Sequence, residues 1–164
     1  MAITINGYIA DTHDDTEWVK DIEALNSAIS ECGVVVMGRR TYDECIKYDA
    51  FPCKGALNIV LTQDPMLLKK SSTDVLFSNS SPKEVVTLAE KKGFKKLLVI
   101  GGGHINGSFL KDGLIDEIIL DIHPLIMAKG IHLFESDFPN KNLELVSHKE
   151  INDQIIQIKY KVKK

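Results

Sequence analysis

The stretch Leu97-Leu98-Val99-Ile100-Gly101-Gly102-Gly103-His104-Ile105-Asn106-Gly107 decides the fold of this chain. Four apolar residues run directly into three glycines, which is typical of a strand buried on both faces and followed by a tight turn. Glycines let the backbone take positive φ and let a ligand approach without meeting a Cβ atom. A helix beginning near His104 would direct its N-terminus over the turn and favour a phosphate there. The alternative is a strand-to-helix turn without a ligand; three glycines rather than one favour the ligand.

The length and composition are those of an ordinary globular protein. The chain has 164 residues and a net charge of −3, with 44% hydrophobic and 26% charged residues, so we expect a single domain over 1–164. The acidic balance argues against nucleic acid or an anionic membrane as partner. Three cysteines without metal-site spacing predict a reduced, cytoplasmic protein with no metal site. No segment is apolar enough to span a membrane, and the start does not read as a signal peptide.

Strands and helices alternate along most of the chain, and an antiparallel end follows. Strands are predicted at 1–5, 8–10, 34–37, 57–61, 74–77, 97–100, 115–122, 143–149 and 155–162. The last two form a hairpin across Asn152-Asp153. Lys159 and Lys161 alternate with apolar residues, which predicts the solvated face of a strand.

Helices are predicted from apolar spacing and capping signals. Trp18, Ile22, Leu25, Ile29 and Cys32 form one stripe, which predicts a helix over 17–31 that Asp15 or Thr16 caps and Gly33 ends. A short helix is predicted from Gly38-Arg39 to about Ile46. A capping box over 81–84 predicts the start of another helix, which Gly93 stops.

Three polar or glycine-containing segments follow predicted parallel strands. They are Gly38-Arg39-Arg40-Thr41, Leu61-Thr62-Gln63 and Gly101-Gly102-Gly103-His104. Ligands of open α/β sheets bind beyond the carboxyl ends of the strands, and this edge suits a phosphate-bearing dinucleotide. Thr41 and backbone N–H groups could hold pyrophosphate, and the two arginines a further phosphate. The arginines could instead be solvated residues of a helix start, although cations there oppose the helix dipole.

A Rossmann fingerprint is excluded. Gly101-x-Gly103 with Asp121 twenty residues on has the fingerprint's spacing, but the helix is too short and a hairpin follows instead of a second βαβ set.

Three collinear segments resemble the dihydrofolate reductase-like superfamily. They are Val-Met-Gly-Arg-Arg-Thr-Tyr (36–42), Leu-Val-Ile-Gly-Gly-Gly (98–103) and Gly-Leu-Ile-Asp-Glu-Ile-Ile-Leu-Asp-Ile-His-Pro (113–124). They are most similar to its riboflavin-biosynthesis branch, the reductase domain of the bacterial bifunctional deaminase-reductase and its stand-alone relatives. The resemblance implies an α/β, dihydrofolate reductase-like fold, with a central, mostly parallel mixed sheet flanked by helices and a C-terminal antiparallel hairpin. Two departures are Asn6, where the family usually has Asp, and Ala128 in the later Gly-x-Gly.

The resemblance also implies an NADPH site. It assigns the cofactor's phosphates to Gly38–Thr41 and to the segment of Ile100, Gly101, Gly102, Gly103, His104 and Ile105. It places Leu61, Thr62 and Gln63 beside the adenosine, and Ile9 and Ala10 near the nicotinamide. In the superfamily the peptide bond between the first two glycines is cis, so we expect a cis bond between Gly101 and Gly102.

The substrate end carries fewer signals. Folate reductases bind the pterin ring with a carboxylate on the first helix, so Glu17 and Asp21 are the candidate catalytic residues. Both could equally be solvated helix carboxylates. Trp18 is either a core residue or part of the substrate site, and we interpret His13 and His123 as structural or solvated.

The sequence predicts an NADPH-dependent reductase acting on a small pyrimidine or pteridine-like heterocycle. It is similar to the riboflavin-biosynthesis 5-amino-6-(5-phosphoribosylamino)uracil reductase. The alternatives are a true dihydrofolate reductase and a catalytically silent, nucleotide-binding relative. Relatives of this type often form homodimers, and the C-terminal hairpin offers an edge or a face for pairing, so we expect a homodimer.

Overall fold

The computed structural model describes residues 1–19, 22–152 and 154–164. The strands are β1 (Ala2–Thr4), β2 (Tyr8–Ala10), β3 (Val34–Gly38), β4 (Leu57–Leu61), β5 (Val75–Ser78), β6 (Leu98–Val99), β7 (Glu117–His123), β8 (Ile131–His132), β9 (Leu143–Asn152) and β10 (Ile155–Val162). The helices are α1 (Glu23–Cys32), α2 (Arg39–Lys47), α3 (Pro65–Leu68), α4 (Pro82–Lys91) and α5 (Gly103–Lys111). No helix among these residues is long and apolar enough to cross a membrane.

A parallel sheet in the order β5-β4-β3-β6 carries the hydrophobic core on both faces. Every residue of β3 is buried, as a valine-rich run between two helix layers requires. Val35 and Met37 pack with Ile29 of α1 on one face. Val34 and Val36 pack with Val85 of α4 and Phe109 of α5 on the other. The predicted α/β architecture is confirmed.

A second sheet, in the order β1-β7-β10-β9, contains the C-terminal hairpin. β1 runs parallel to β7, whereas β10 pairs antiparallel with both β7 and β9. β2 and β8 form a separate two-stranded ribbon. The predicted hairpin is therefore confirmed, with a bulge opposite Lys159 and Tyr160.

The predicted first helix is wrong at its start. Residues 17–19 lie in a turn, and α1 begins at Glu23. The Asp15 side chain accepts from the Glu17 N–H at 2.7 Å, and Val19 N donates to Thr16 O at 3.0 Å. Asp15 therefore closes a turn rather than capping the helix, because short polar side chains compete locally with helical bonds. The predicted end at Gly33 is confirmed, with φ 69°.

Other elements differ from prediction in detail. The capping box is confirmed, since Ser81 and Glu84 each bond the other's backbone N–H. The strand expected over 97–100 pairs only at Leu98–Val99, and neither α3 nor β8 was predicted. Lys159 is not simply solvated: it is half-buried and bonds Glu117 at 2.8 Å.

One buried polar side chain lies inside the parallel sheet. Asn58 of β4 is fully buried. Its Oδ1 accepts from Cys53 N at 2.9 Å, and its Nδ2 donates to Ala56 O at 2.9 Å and to Cys53 O at 3.1 Å. A longer contact of 3.4 Å reaches Asp74 O. The amide therefore ties β4 to the segments that lead into β4 and β5.

Candidate functional site

The two glycine turns predicted from the sequence lie side by side. Gly38 N donates to Gly101 O at 2.8 Å, and Ile100 N donates to Val36 O at 2.9 Å. The Thr41 hydroxyl lies 3.7 Å from the point where a Cβ on Gly102 would sit. The peptide bond between Gly101 and Gly102 is cis, as expected. One strand edge therefore brings together both proposed phosphate-binding turns.

The four glycines of the two turns are required for different physical reasons. A Cβ on Gly38 would lie 2.8 Å from Ile105 Cγ1, and one on Gly103 would lie 2.4 Å from His132 O, so packing requires both. Gly101 has φ 105°, which disfavours a side chain. Gly102 alone has ordinary φ and nothing closer than the Thr41 hydroxyl. Packing and backbone conformation account for three of the four, whereas a Cβ on Gly102 would only make an ordinary contact with the Thr41 hydroxyl among the described residues.

The helices that start at these turns lack side-chain caps. Gly38 is the N-cap of α2 and Gly102 that of α5, and no side chain of the described residues caps either. By contrast, Asp64 caps α3 and Ser81 caps α4. The first N–H groups of a helix need acceptors and carry its positive dipole end. The starts of α2 and α5 are thus suited to receive an anion.

A cleft of about 330 Å³ lies at the carboxyl ends of β4 and β5, beside the first residues of α2, α4 and α5. Of the predicted site residues, it is lined by Arg39, Leu61, Thr62, Gln63 and Ile105. Sequence reasoning missed its other wall, formed by Ser78, Asn79, Ser80, Pro82 and Ser108. The signal was available, since a run of small polar residues follows a predicted parallel strand at the same sheet edge.

Arg39 is held by two carboxylates at the mouth of this cleft. Its Nε donates to both carboxylate oxygens of Asp43, at 2.8 and 2.9 Å, and its Nη1 donates to Asp64 Oδ2 at 2.8 Å. Asp43 and Asp64 raise the pKa of the guanidinium, so it stays charged. The Met66 backbone N–H and Arg39 lower the pKa of the Asp64 carboxyl. These three contacts fix the guanidinium while leaving its remaining N–H groups for a ligand.

The Arg40 side chain lies outside the cleft, unlike that of Arg39. Its side chain is 69% exposed, outside the set that lines the cleft, and its Nη1 lies 3.8 Å from Asp14 Oδ1. Asp15 similarly lies 3.7 Å from Lys47 Nζ. The structure therefore separates the two arginines: Arg39 faces the cleft, and Arg40 faces the acidic segment before α1.

The remaining predicted cofactor residues occupy two places. Ile9 is half-buried and Ala10 buried on β2, where a Cβ on Gly130 would meet Ala10 O at 2.3 Å. His104, in the first turn of α5, is exposed; its Nδ1 donates to Glu135 O at 2.9 Å. His104 thus anchors the segment after β8 rather than lining the cleft.

The predicted substrate residues are only partly brought together. Glu17 is exposed in the turn before α1, not on a helix, and Asp21 lies outside the described residues. Trp18 packs edge-on against His123, with ring centroids 5.1 Å apart. His123 is 3% exposed, and its Nδ1 donates to Asp121 O at 3.0 Å. His123 is therefore buried, whereas His13 is exposed.

Where Trp18 packs on His123, two buried polar atoms have no hydrogen-bond partner among the described residues. They are Trp18 Nε1 and His123 Nε2. Because Nδ1 of His123 donates to a carbonyl, Nε2 would be an acceptor in the neutral form of the ring, and the Trp18 ring packs edge-on against it. A buried, unsatisfied polar group costs about 1–3 kcal/mol, which a ligand with one donor and one acceptor would offset.

Comparisons with known proteins identify the family and the fold of this chain. The family model described as the RibD C-terminal domain matches residues 1–157. The Bacillus subtilis (strain 168) protein YyaP, described as uncharacterized, is 23% identical over 171 residues, which cover 98% of this chain and 91% of YyaP.

Solved structures share the fold. A putative riboflavin biosynthesis protein from Shewanella sp. PV-4 is 23% identical with a TM-score of 0.81, over 100% of this chain and 97% of that one. The Thermotoga maritima diaminohydroxyphosphoribosylaminopyrimidine deaminase/5-amino-6-(5-phosphoribosylamino)uracil reductase is 18% identical with a TM-score of 0.74. That match covers 98% of this chain and 54% of the Thermotoga chain.

Proposed function

Because this chain belongs to the RibD C-terminal domain family, we propose that it is an NADPH-dependent reductase of a small pyrimidine or pteridine-like heterocycle. Within the riboflavin branch, the reaction proposed is that of a 5-amino-6-(5-phosphoribosylamino)uracil reductase. NADPH, when bound, supplies the hydride; the protein supplies binding, orientation and electrostatics.

One observation carries the proposal: two uncapped helix starts meet at one glycine-lined turn. A pyrophosphate beside Gly102 and the Thr41 hydroxyl would accept hydrogen bonds from the N-termini of α2 and α5, which no side chain of the described residues caps. The cleft between Leu61 and Ile105 fits an adenosine, and Arg39 lies at its mouth. The residues present therefore fit the cofactor that the family implies.

The substrate is proposed to bind at the carboxyl ends of β1 and β7. Thr4 and His123 are register partners there, and Trp18 packs on His123. A lactam edge, which pyrimidines and pterins carry, has the neighbouring donor and acceptor that His123 Nε2 and Trp18 Nε1 require. Both atoms are buried, so substrate binding there requires the Trp18 side chain to move outward. Trp18 is thus a proposed substrate-binding residue.

Binding and turnover must be measured separately, because a silent relative would bind NADPH without oxidising it. Trp18 is the single tryptophan of the chain, so its fluorescence reports on the site. We expect NADPH to quench it through energy transfer, and absorbance at the nicotinamide band to fall with a phosphoribosylaminouracil but not with dihydrofolate. Binding without turnover on either substrate would favour the silent relative. Turnover on dihydrofolate alone would favour the dihydrofolate reductase, and absence of NADPH binding would refute the proposal.

A further inference from the structure

Asn6, one of the two departures from the family pattern, lies in the β-turn that joins β1 to β2. Gly7 N donates to Thr4 O at 3.0 Å, which closes the turn. The Asn6 side chain reaches a residue 121 positions further along the chain: its Nδ2 donates to Met127 O at 2.7 Å. Its Oδ1 accepts from Met127 N at 3.1 Å. The amide therefore bonds both backbone groups of one residue, an arrangement that we call the Asn6 clip.

A carboxylate in place of the Asn6 amide would form only half of this clip. A carboxylate accepts hydrogen bonds, whereas an amide both accepts and donates them. The carboxylate would keep the two bonds that Oδ1 accepts, from Met127 N and from the buried Thr4 hydroxyl at 3.0 Å. It would lose the bond to Met127 O and place a negative charge against that carbonyl oxygen. The donor half of the clip thus requires an amide.

The clip holds a segment without regular secondary structure. Residues 124–130 connect β7 to β8 and form neither helix nor strand. Three residues after the clip, a Cβ on Gly130 would lie 2.3 Å from Ala10 O and 2.7 Å from Met127 Sδ. Gly130 is therefore packed between the carbonyl of β2 and the side chain of the residue that Asn6 bonds. This contact connects the clip to β2.

We infer that Asn6 is a positioning residue for the nicotinamide end of the cofactor site, an inference that rests on the proposed function. Ala10, on which the clipped segment packs, is one of the two residues of β2 that the resemblance places near the nicotinamide. Asn6 acts on it through Met127 and Gly130. The adenosine end of the proposed site lies at the carboxyl ends of β4 and β5, in the other sheet. A change at Asn6 should therefore affect one half of the cofactor and not the other.

Asn6→Asp tests the inference with a side chain of nearly the same shape. Calorimetric titration compares NADPH with 2′,5′-ADP, which carries the adenosine and its phosphates but no nicotinamide. At neutral pH this variant should bind NADPH about three- to tenfold more weakly, as expected for one lost hydrogen bond, and should bind 2′,5′-ADP as the wild type does. The matched control is Asn142→Asp, which adds the same charge at an exposed asparagine whose backbone carbonyl, bonded by Lys163 N, is unchanged. It should bind both ligands like the wild type.

Hydrogen exchange of the free protein gives a second readout, which needs no cofactor. The backbone amides of residues 125–132 should exchange about three- to tenfold faster in Asn6→Asp than in the wild type or in Asn142→Asp. Asn6 is exposed, and the bond from Ile5 N to Leu125 O at 3.0 Å remains, so we expect the variant to fold. Asn6→Ala removes both halves of the clip without adding a charge and takes the place of Asn6→Asp if that variant does not fold.

The wild type separates the two ways in which the experiment can fail. A wild type that does not bind NADPH would refute the proposed function and the inference with it. If the wild type binds NADPH, unchanged NADPH affinity in the Asn6 variants would overturn the inference alone. An equal loss for NADPH and 2′,5′-ADP would also overturn it, because the effect would then not be confined to the nicotinamide end. Unchanged exchange over residues 125–132 would show that the clip does not hold the segment, which overturns it as well.

Discussion

Replacing Arg39 with alanine should change the cofactor preference of this protein. NADPH differs from NADH by a phosphate on the adenosine ribose, and Arg39 is the arginine that lines the cleft proposed for the adenosine. A guanidinium forms charge-assisted hydrogen bonds with a phosphate. Losing one such bond should weaken NADPH binding about ten- to a hundredfold, whereas NADH binding should change little.

The two carboxylates that bond Arg39 should reduce its contribution to NADPH binding. Asp43 and Asp64 occupy Nε and Nη1 of Arg39 and would lie near the phosphate, which they repel. Asp64→Asn should therefore strengthen NADPH binding, by about two- to fivefold for an exposed charge. Asparagine is as good an N-cap as aspartate, so α3 should keep the cap that Asp64 provides.

Calorimetric titration of each variant with NADPH and with NADH decides the matter. Arg40→Ala is the matched control, because Arg40 lies one residue further on and contacts Asp14 instead of the cleft. If Arg39→Ala weakens both cofactors equally, Arg39 binds the shared pyrophosphate. If it weakens neither while Arg40→Ala does, the assignment of Arg39 to the adenosine end is wrong. No effect in either variant would identify both arginines as solvated residues of a helix start.

Two further predictions follow from the turns and caps. Gly103→Ala should lower the free energy of unfolding by about 1–3 kcal/mol, because its methyl group would lie 2.4 Å from His132 O. Gly102→Ala should keep the wild-type melting temperature and weaken NADPH binding. Equal melting temperatures of the two variants would contradict this prediction. Ser81→Ala should cost about 1 kcal/mol in urea unfolding, since it removes the side-chain cap of α4. The Ser81 backbone N–H and hydroxyl lower the pKa of the Glu84 carboxyl. The stability that these two bonds contribute is therefore fully present above the usual pKa of glutamate, and it is lost as the pH falls through the lowered pKa. The stability gap between wild type and Ser81→Ala should therefore narrow in acid, and a gap independent of pH would contradict this.

The site could be predicted wherever a strong local signal coincided with a strand end. The segments that begin at Gly38 and Gly101 each follow a buried apolar run, and the structure places them in contact. Leu61-Thr62-Gln63 follows a third such run and lines the same cleft. Parallel strands put their carboxyl ends at one edge, so sequence order alone was enough to bring these segments together.

The start of the first helix could not be predicted from apolar spacing. Trp18 fits the stripe of α1, but it packs on His123, a residue about a hundred positions away in sequence. Trp18 lies in a turn in which the Asp15 side chain bonds the Glu17 N–H. Here a tertiary contact and a local hydrogen bond outweighed the periodicity.

The ion pairs of Arg39 could also not be predicted in full from the sequence. Asp43 lies one helical turn from Arg39, so this ion pair could be predicted from the i, i+4 spacing. Asp64 lies beyond the carboxyl end of β4, at the N-cap of α3, so the second ion pair could not. Likewise, the alternation around Lys159 predicted a solvated face of β10, whereas Lys159 is half-buried and bonds Glu117. Long-range packing decides that, and no pattern within a single strand encodes it.

The buried Asn58 amide has a consequence for the cleft three residues away. Slipping a strand by one residue exchanges its two faces, and an all-apolar parallel strand offers little resistance to slipping. Asn58 opposes slipping only through its 3.4 Å contact with Asp74 O, because its shorter bonds go to Cys53 and Ala56 in the segment that leads into β4 itself. Those shorter bonds hold that segment against the buried part of β4, whose carboxyl end, Leu61, lies opposite Gly38 and is followed by Thr62 of the cleft. Variation at Asn58 should therefore alter the cleft by loosening β4, although the Asn58 side chain does not line it.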